Sequence, residues 1–375
     1  MRGIQVTTYN PNSPIHGGKI RSRALSEIFV ATFGPQIEVK NYYIGTKIDS
    51  LSVTYKNLPQ IEDVLTADYL ESMALQEDVQ ADYVVCEQPW GWPLVAFLKS
   101  RNPKLLTIYS SQNIESSLKE RILSHVDSTS CKQIITRIKK LEIQAAGEAD
   151  LVIVCSHSDR DWFENNGVEK KKIIYIPNST NADRFTSTLT TKNDDSSYFL
   201  LASSSYGPTN ESFMDLFAAA NQFLPPKTEI KVVGGISNYL ATTVGSRRAT
   251  DLDGAIHLLG VVTDQKLHQL LNGAMGIILP VKFGGGTNLK TAEALYYNKE
   301  IIATREAFRG FEGYINASNV QIVRDTHDAM IAVWKAINRH RSGVVDEGQM
   351  PVRDELTWSY WTETGPKIIR EALSL

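Results

Sequence analysis

Short apolar segments alternate with helical patterns along most of this 375-residue chain, and this alternation restricts the fold more than any other feature. Apolar and β-branched runs predict strands at 3–9, 37–44, 82–86, 105–109, within 149–163 and 171–185, and at 198–202, 229–233, 256–259, 276–280, 300–304 and 320–323. Chains built in this way bury parallel sheets between layers of helices. The sequence therefore predicts an α/β fold made of Rossmann-like, doubly wound sheets.

The polar run STLTTKNDDSS, residues 187–197, interrupts this alternation, which then starts again. Such a run is typical of a linker, and the chain is long enough for two domains that each have a core. We therefore predict a first domain at 1–180, a linker at 181–197, a second domain at 198–356 and a terminal helix at 357–375. Two doubly wound domains in this order are expected to face each other across a cleft.

Composition and charge argue against several classes of protein. A net charge of −3 argues against nucleic acid as a partner. The first residues lack the apolar core of a signal peptide, and no stretch approaches the roughly 20 apolar residues needed to cross a bilayer. Cys86 and Cys155 end apolar runs, so buried thiols are expected rather than disulfides or a metal site. These features predict a cytoplasmic protein, associated at most with a membrane surface.

The segment PVKFGGGTNLKTAEAL, residues 280–295, has the pattern of a strand, a glycine loop and a helix. We expect Thr287 to be the N-cap, and the free amides and dipole at the helix start to bind an anion. Lys290 adds a positive charge, and Glu293 lies one turn further on. The segment matches neither the Walker loop nor the dinucleotide fingerprint. It suits a ligand with phosphates at one end and hydroxyls at the other, such as a nucleotide sugar; ordinary α/β packing is the alternative.

A second glycine segment, Gly17 and Gly18, follows the first predicted strand and precedes a helix that is expected from about residue 20. It is either another anion site or a plain turn. Trp90 and Trp92 follow the strand at 82–86, where they either stack on a sugar or seat their loop. Gln112 follows the next predicted strand and is expected at the same sheet edge as the glycines.

Two further features each have two interpretations. Residues 119–140 carry six basic side chains, which form either a solvated helix face or a surface for an anionic membrane or acceptor. His157 lies near the start of a predicted helix. It is either a cap or packing residue or a catalytic residue.

Four segments together give the chain a resemblance to a known family. They are HGGKIRSRALSEIF (16–29), ADLVIVCSHSDRDWF (149–163) with IPNSTNADRF (176–185), IHLLGVVTDQKLHQLLNGAMGIILPV (256–281) and GGGTNLKTAEALYYNKEIIAT (284–304). The chain resembles the group 1 (family 4) glycosyltransferases of GT-B fold over nearly its full length. The resemblance implies a final helix that crosses back onto the first domain. It also implies transfer of a sugar from a nucleoside diphosphate with retention at the anomeric carbon, without a bound metal or other cofactor.

The resemblance also assigns roles to individual positions. Glu293 matches the glutamate that binds the donor ribose, and Lys290 is expected to hold the diphosphate. The remaining donor-binding positions are implied by their place in the family's motifs: Gly17, Gly18, Val262, Lys282, Gly285, Gly286, Thr287, Asn288 and Leu289. Among them, main-chain groups near Val262 are expected to meet the base, and Lys282 to supply a second cation.

Three positions depart from the family pattern. Many members have a second glutamate eight positions before the ribose-binding one, where this chain has Gly285. The usual Arg/Lys pair is missing from residues 203–211, and Gln112 stands where many members have histidine. The expected function is transfer from a UDP- or GDP-sugar to a saccharide or lipid-linked saccharide acceptor in cell-surface polysaccharide synthesis. The alternatives are a non-catalytic partner subunit of the same fold and another enzyme on it, a nucleotide-sugar epimerase or a phosphorylase.

Overall fold

A computed structural model describes residues 2–7, 17–34, 39–43, 81–124, 129–188, 198–205, 207–217, 224–244, 255–284, 286–342 and 353–375. The chain divides into two compact units, one made of 1–177 and 360–375 and the other of 178–359. Each unit has a parallel β-sheet covered by helices. The predicted α/β class is therefore confirmed. Residues 61–78, whose sequence has a helical pattern, lie outside the described residues.

The first sheet contains, among the described residues, six strands: β1 (Gly3–Thr7), β2 (Val39–Tyr43), β3 (Tyr83–Glu87), β4 (Leu106–Ser110), β5 (Leu151–Val154) and β6 (Ile173–Tyr175). Their order is β2-β1-β3-β4-β5-β6, and every neighbouring pair is parallel. The helices are Gly17–Phe33, Trp92–Arg101, Glu115–Ile122, Thr129–Glu148 and His157–Asn165. The chain reverses its direction of strand addition between β1 and β3, and the helix that follows β1 starts from that point.

The second sheet has six described strands: β7 (Tyr198–Ala202), β8 (Glu229–Val233), β9 (Ile256–Gly260), β10 (Gly276–Leu279), β11 (Glu300–Ala303) and β12 (Val320–Ile322). Their order is β12-β11-β10-β7-β8-β9, the doubly wound Rossmann order. The helices are Gly207–Phe217, Gly235–Val244, Asp264–Gly273, Leu289–Tyr296 and Thr326–Ser342. The switch in strand order lies between β7 and β10, so the segment that follows β10 lies where such sheets bind ligands.

Apolar side chains on both faces of the central strands form the cores. Strands β3 and β5 are buried throughout in the first unit, as is β10 in the second. Such strands read as continuous apolar runs because helices cover both faces of the sheet. The three cysteines are free and buried, as expected for Cys86 and Cys155. Among the described residues, no helix combines the length and apolar character required to span a bilayer.

Several element limits differ from the sequence-based ones. The first helix begins at Gly17 instead of near residue 20. Residues 182–188, expected to start the linker, form a 3₁₀-helix whose Ala182 is fully buried in the core of the second unit. Burial of Ala182 holds the start of the expected linker on the second unit, although the residues that follow are polar. Residues 189–197 of the expected linker lie outside the described residues.

The terminal helix, Trp358–Leu373, packs on the first unit as expected. Gly365 lies against Ile28 of the first helix, and Arg370 donates to the carbonyl of Thr32 near that helix's end. Arginine in this position satisfies carbonyls that have no partner within their own helix. Ile369 is completely buried at this contact.

Replacement of Ile369 tests how much this helix contributes to the first unit. Ile369→Ala removes buried methyl groups and leaves a cavity, so it should lower the free energy of unfolding by about 2–5 kcal/mol. Lys367→Ala, at an exposed position of the same helix, is the matched control and should change it by less than about 0.5 kcal/mol. Calorimetric unfolding measures both; equal effects would contradict burial of this helix in the first unit.

Candidate functional site

The glycine segment after β10 leads into the N-terminus of helix Leu289–Tyr296, at the switch point of the second sheet. The N-cap is Asn288, whose side-chain oxygen accepts from the amide of Lys290 at 3.2 Å. The sequence had pointed to Thr287 instead, and that assignment is wrong. The chain enters the helix one residue later than expected, and asparagine is an equally good cap.

Polar atoms without partners lie at this N-terminus. In the described structure, the Thr287 hydroxyl and the side-chain nitrogen of Asn288 are buried and make no hydrogen bond. The Thr287 carbonyl accepts from Asn178 at 3.5 Å, which fixes the backbone here. Buried donors without partners are uncommon and costly in native proteins. Together with the positive end of the helix dipole, they give this position the character of a binding site for a group rich in acceptors.

Lys290 and Glu293 lie together on this helix. The Lys290 ammonium is 2.9 Å from a Glu293 carboxylate oxygen, with the side chains 33% and 14% exposed, respectively. The two groups therefore neutralise each other in part. A phosphate near Lys290 would compete with Glu293 for the ammonium, and ribose hydroxyls near Glu293 could then donate to the released carboxylate.

His268 joins the neighbouring helix, Asp264–Gly273, to this pair. Its ring is buried, stacks on Phe185 with centroids 4.1 Å apart, and shares a 2.7 Å hydrogen bond with the Tyr297 hydroxyl. Burial lowers the pKa of His268, while the Glu293 carboxylate acts in the opposite direction. A neutral, hydrogen-bonded ring of this kind forms one side of the site next to Lys290 and Glu293. The sequence analysis missed it because a single histidine on a helix face gives no signal.

The other predicted donor-binding positions of the second unit have surroundings that differ from those of Lys290 and Glu293. Val262 is half-buried before helix Asp264–Gly273 and packs on the core. Lys282 lies 3.6 Å from both Glu211 and Asp215. Its charge is thus paired with carboxylates of helix Gly207–Phe217. Leu289 is the first residue of its helix, Gly286 has a positive φ of 57°, and Gly285 lies outside the described residues.

Arg309 is a further residue that the sequence analysis missed. It follows the 3₁₀-helix Arg305–Phe308 after β11, and its Nε donates to the carbonyl of Gly286 at 3.1 Å. A contact between residues 23 positions apart could not be read from the spacing. It follows only from the pairing of β10 with β11, which brings the segments after these strands side by side.

In the first unit, Gly17 starts the helix after β1 and Gly18 is half-buried in its first turn. Gln112, which follows β4, points inward and donates to the Glu87 carboxylate at 3.0 Å. Glu87 also accepts from Gln5, Ser22 and Thr7. Burial raises the pKa of Glu87, and the hydrogen bonds from Ser22 and Gln5 oppose this. Gln112 therefore has a structural partner at the sheet edge where the family pattern has histidine.

Two of the open interpretations of the first unit are decided by contacts. Trp90 and Trp92 are buried, and Trp92 donates to Glu148 at 2.8 Å, so both hold their loop in place. His157 stacks on Tyr175 with centroids 4.5 Å apart, while Ser156 is the N-cap of its helix. His157 is thus a packing residue.

The basic residues of helix Thr129–Glu148 include the exposed Lys132, Arg137 and Lys140. Their exposure fits a solvated face and a surface for an anionic membrane or acceptor equally well, so both interpretations stay open.

No protein-family model matches the chain, and no curated protein matches it in sequence. Solved structures do. Sucrose-phosphate synthase from Thermosynechococcus elongatus superposes with a TM-score of 0.71 at 14% identity, over 100% of this chain and 99% of its own. HepE from Anabaena, in complex with UDP, gives 0.67 at 13% over 100% of both chains. The catalytic domain of starch synthase IV from Arabidopsis thaliana, bound to ADP and acarbose, gives 0.60 at 11%, over 100% and 99%.

Identities this low establish the architecture alone. The likeness covers both parallel-sheet units and the returning terminal helix, because it extends over the whole chain. The chain therefore has the GT-B fold of these glycosyltransferases.

Proposed function

We propose that this chain is a metal-independent, retaining glycosyltransferase of the group 1 (family 4) type. Its donor is a UDP- or GDP-sugar, and its acceptor is a saccharide or lipid-linked saccharide of cell-surface polysaccharide synthesis. The observation that carries the proposal is the N-terminus of helix Leu289–Tyr296, at the switch point of a GT-B fold, with Thr287 and Asn288 atoms that have no partner among the described residues. The complexes of HepE with UDP and of starch synthase IV with ADP support a nucleoside diphosphate as the ligand.

The reaction breaks the bond between the anomeric carbon and the diphosphate and forms one from the acceptor oxygen on the same face. The electron pair of the broken bond stays on the departing phosphate oxygen, so negative charge builds on the diphosphate in the transition state, and that oxygen takes up the proton that the acceptor hydroxyl loses. The positive end of the helix dipole and the Lys290 ammonium, which the bound donor takes over from Glu293, stabilise that charge. Such electrostatic stabilisation is commonly the largest contribution to catalysis at oxyanion sites. Glu293 accepts from the ribose hydroxyls, which change little during the reaction.

The acceptor belongs to the first unit in this proposal. The exposed basic face of helix Thr129–Glu148 suits an anionic saccharide or lipid headgroup by charge alone. The protein would act in the cytoplasm, on the membrane surface when the acceptor is lipid-linked.

Binding of nucleotides tests the proposal before any acceptor is known. At about 100 times its dissociation constant, a ligand adds roughly 2.7 kcal/mol to the stability of the protein. We expect UDP or GDP to raise the melting temperature and the matching nucleoside to raise it less. A panel in which no nucleoside diphosphate raises it would contradict the proposal.

Lys290→Ala separates catalysis from binding. The Lys290 interaction strengthens as charge builds on the diphosphate, so its loss should lower kcat by on the order of a hundredfold. Donor affinity should fall much less, because the ammonium is already partly occupied by Glu293 in the free protein. Lys335→Ala, at an exposed position of helix Thr326–Ser342, is the control for loss of one positive charge. A wild-type kcat in a normally folded Lys290→Ala enzyme would refute this role. A wild-type protein that binds the nucleotide but transfers no sugar would favour a non-catalytic partner subunit.

Glu293→Gln should have the opposite profile. It keeps the size of the side chain and one acceptor but loses the charge-assisted bonds to ribose, so donor binding should weaken by about 1.5–3 kcal/mol. The kcat at saturating donor should change little. Calorimetric titration with the nucleoside diphosphate measures the loss, and an unchanged dissociation constant would remove Glu293 from the donor site.

Metal independence is expected because neither Asp-x-Asp pair of the sequence is suitably placed after a strand; Asp251 and Asp253 precede the predicted strand at 256–259. Asp159 and Asp161 lie within helix His157–Asn165, and Asp159 faces Cys155 at 3.3 Å. Transferase activity should therefore survive EDTA, because helix amides and cations take the place of a metal at the diphosphate. Activity that disappears with EDTA and returns with manganese would overturn this expectation.

A further inference from the structure

Helix Thr129–Glu148 of the first unit has one buried side and one positively charged side. Cys131 and Ala145 are buried on the first. The exposed side carries four cations: Lys132, Arg137, Lys139 and Lys140. The only acidic residue between positions 129 and 147 is Glu142, which is completely buried. The exposed face of this helix therefore carries charge of one sign along nearly its whole length.

Three of these cations have no carboxylate partner. Arg137, Lys139 and Lys140 make no ion pair in the described structure, and Lys139 lies over the Trp162 ring, 5.6 Å from its centroid. Arg137 and Lys140 are three positions apart, so they lie on adjacent turns and repel each other. Solvated helix faces commonly alternate in sign, because opposite charges one turn apart stabilise the helix. Exposure alone leaves the role of this face open, but the single sign of its charges favours an anionic partner.

The positive surface continues beyond the end of the helix. Lys172, in the 3₁₀-helix Lys170–Lys172, donates to the Gly147 carbonyl at 3.3 Å. Lys170 is exposed beside it. A helix rises about 1.5 Å per residue, so the surface from Lys132 to Gly147 extends over roughly 22 Å. It is thus long enough to meet several anionic groups at once.

The chemistry of this face suits lipid headgroups better than a saccharide. Sugar hydroxyls need acceptors, whereas lysine and arginine side chains only donate. Uncharged groups such as Gln133 and Thr136 are the only side-chain acceptors between positions 132 and 140 that are exposed. Three of the four cations are lysines, which are mobile point charges without the fork that orients one bound group. Such charges are attracted to the diffuse negative potential of an anionic leaflet.

The face is not built to enter the hydrocarbon layer. None of the large apolar side chains that the described structure exposes lies on this helix. Helices that insert at an interface carry apolar side chains on the face toward the lipid. Contact with a membrane would therefore stay at the level of the headgroups and depend on charge alone, which makes it sensitive to salt.

The path of the helix relates this face to the ligand edge of the first sheet. The helix leads into β5, so its last turn lies at the amino edge of the sheet and its first turns lie toward the carboxyl edge. Doubly wound sheets bind ligands at the carboxyl edge. A membrane along this face would thus run beside the unit up to that edge, where a lipid-linked acceptor would arrive.

We propose that the face of helix Thr129–Glu148 that carries Lys132, Arg137, Lys139 and Lys140 is a docking surface for a membrane rich in anionic lipids. The inference rests on the proposed function only for the lipid-linked acceptor. Lipid binding itself is measured without nucleotide or acceptor.

The test measures binding of the full chain to vesicles by co-sedimentation. The wild type should bind vesicles of phosphatidylcholine and phosphatidylglycerol in equal amounts, and should not bind vesicles of phosphatidylcholine alone. Raising NaCl from about 0.1 M to about 1 M shortens the Debye length from about 10 Å to about 3 Å and should release the protein. Binding that is equal for both kinds of vesicle would overturn the proposal.

A triple variant locates the binding. Each cation near an anionic surface contributes about fivefold in affinity, so Arg137→Gln, Lys139→Gln and Lys140→Gln together should weaken binding roughly a hundredfold. The matched control combines Lys104→Gln, Lys335→Gln and Lys367→Gln, which removes the same charge from exposed positions elsewhere. It should keep most of the affinity. Equal losses in the two variants would show that net charge, and not this face, binds the vesicles.

A single variant keeps the test decisive if the triple variant folds poorly. Lys140→Glu reverses one exposed charge and should weaken binding about twentyfold, with an unchanged melting temperature. A normally folded Lys140→Glu protein with wild-type affinity for the anionic vesicles would contradict the proposal.

Hyaluronate, a soluble anionic polysaccharide, tests the other occupant. At equal concentrations of negative charge, it should leave the wild type on the anionic vesicles. If it instead releases the protein, and its own binding depends on Arg137, Lys139 and Lys140, the face is a saccharide surface and the proposal is overturned.

The outcomes separate this inference from the proposed function. A wild type that docks on anionic vesicles through these cations but binds no nucleoside diphosphate would refute the proposed function and leave the docking surface in place. A wild type that is stabilised by UDP or GDP but ignores the vesicles would overturn only the docking surface. The triple variant should keep the wild-type response to the nucleotide in either case.

Discussion

The order of strands in the second sheet is the constraint on which the rest of the site depends. Because β7 and β10 are neighbours and the chain leaves them in opposite directions, the segments after them diverge and leave a crevice at the sheet edge. The segment after β10 carries the glycines there and leads into the N-terminus of helix Leu289–Tyr296. The parallel sheet thus positions the helix dipole of the proposed anion site before any charged side chain is added, and Lys290 adds a positive charge to it.

Lys290 and Glu293 form an ion pair that contributes more to keeping the two groups in place for a ligand than to the stability of the fold. Partly exposed pairs contribute little to folding, commonly under about 1 kcal/mol. The pair is nevertheless held at 2.9 Å on one turn of the helix, so each group keeps its charge and its direction while no ligand is bound. A ligand with a phosphate and a diol could exchange this one interaction for two, and a ligand with only one of these groups could not.

The sequence predicted the strands, the fold class and the glycine segment, since each depends on local composition and periodicity. It misplaced the N-cap by one residue, from Asn288 to Thr287, because both residue types cap well and only the path of the backbone decides between them. Arg309 and His268 could not be identified from the sequence, for another reason. Their contacts with Gly286 and Tyr297 join residues that are adjacent only through strand pairing and helix packing. The direction of Lys282, toward Glu211 and Asp215, likewise depends on the position of another helix.

The first unit has the same kind of switch point, between β1 and β3, but the charged groups there are buried. A carboxylate, Glu87, is fully buried among donors such as Ser22 and Gln112, and Arg21 is buried as well. Burial has the largest effect on the pKa of Glu87 and raises it, although the positive charge of Arg21 lowers it, which shows that the surroundings disfavour the charge of Glu87. An ionised Glu87 would repel a phosphate, and a protonated one would add no attraction. Glu87 therefore gives no support for a phosphate at this sheet edge, in contrast to the groups at the proposed site in the second unit.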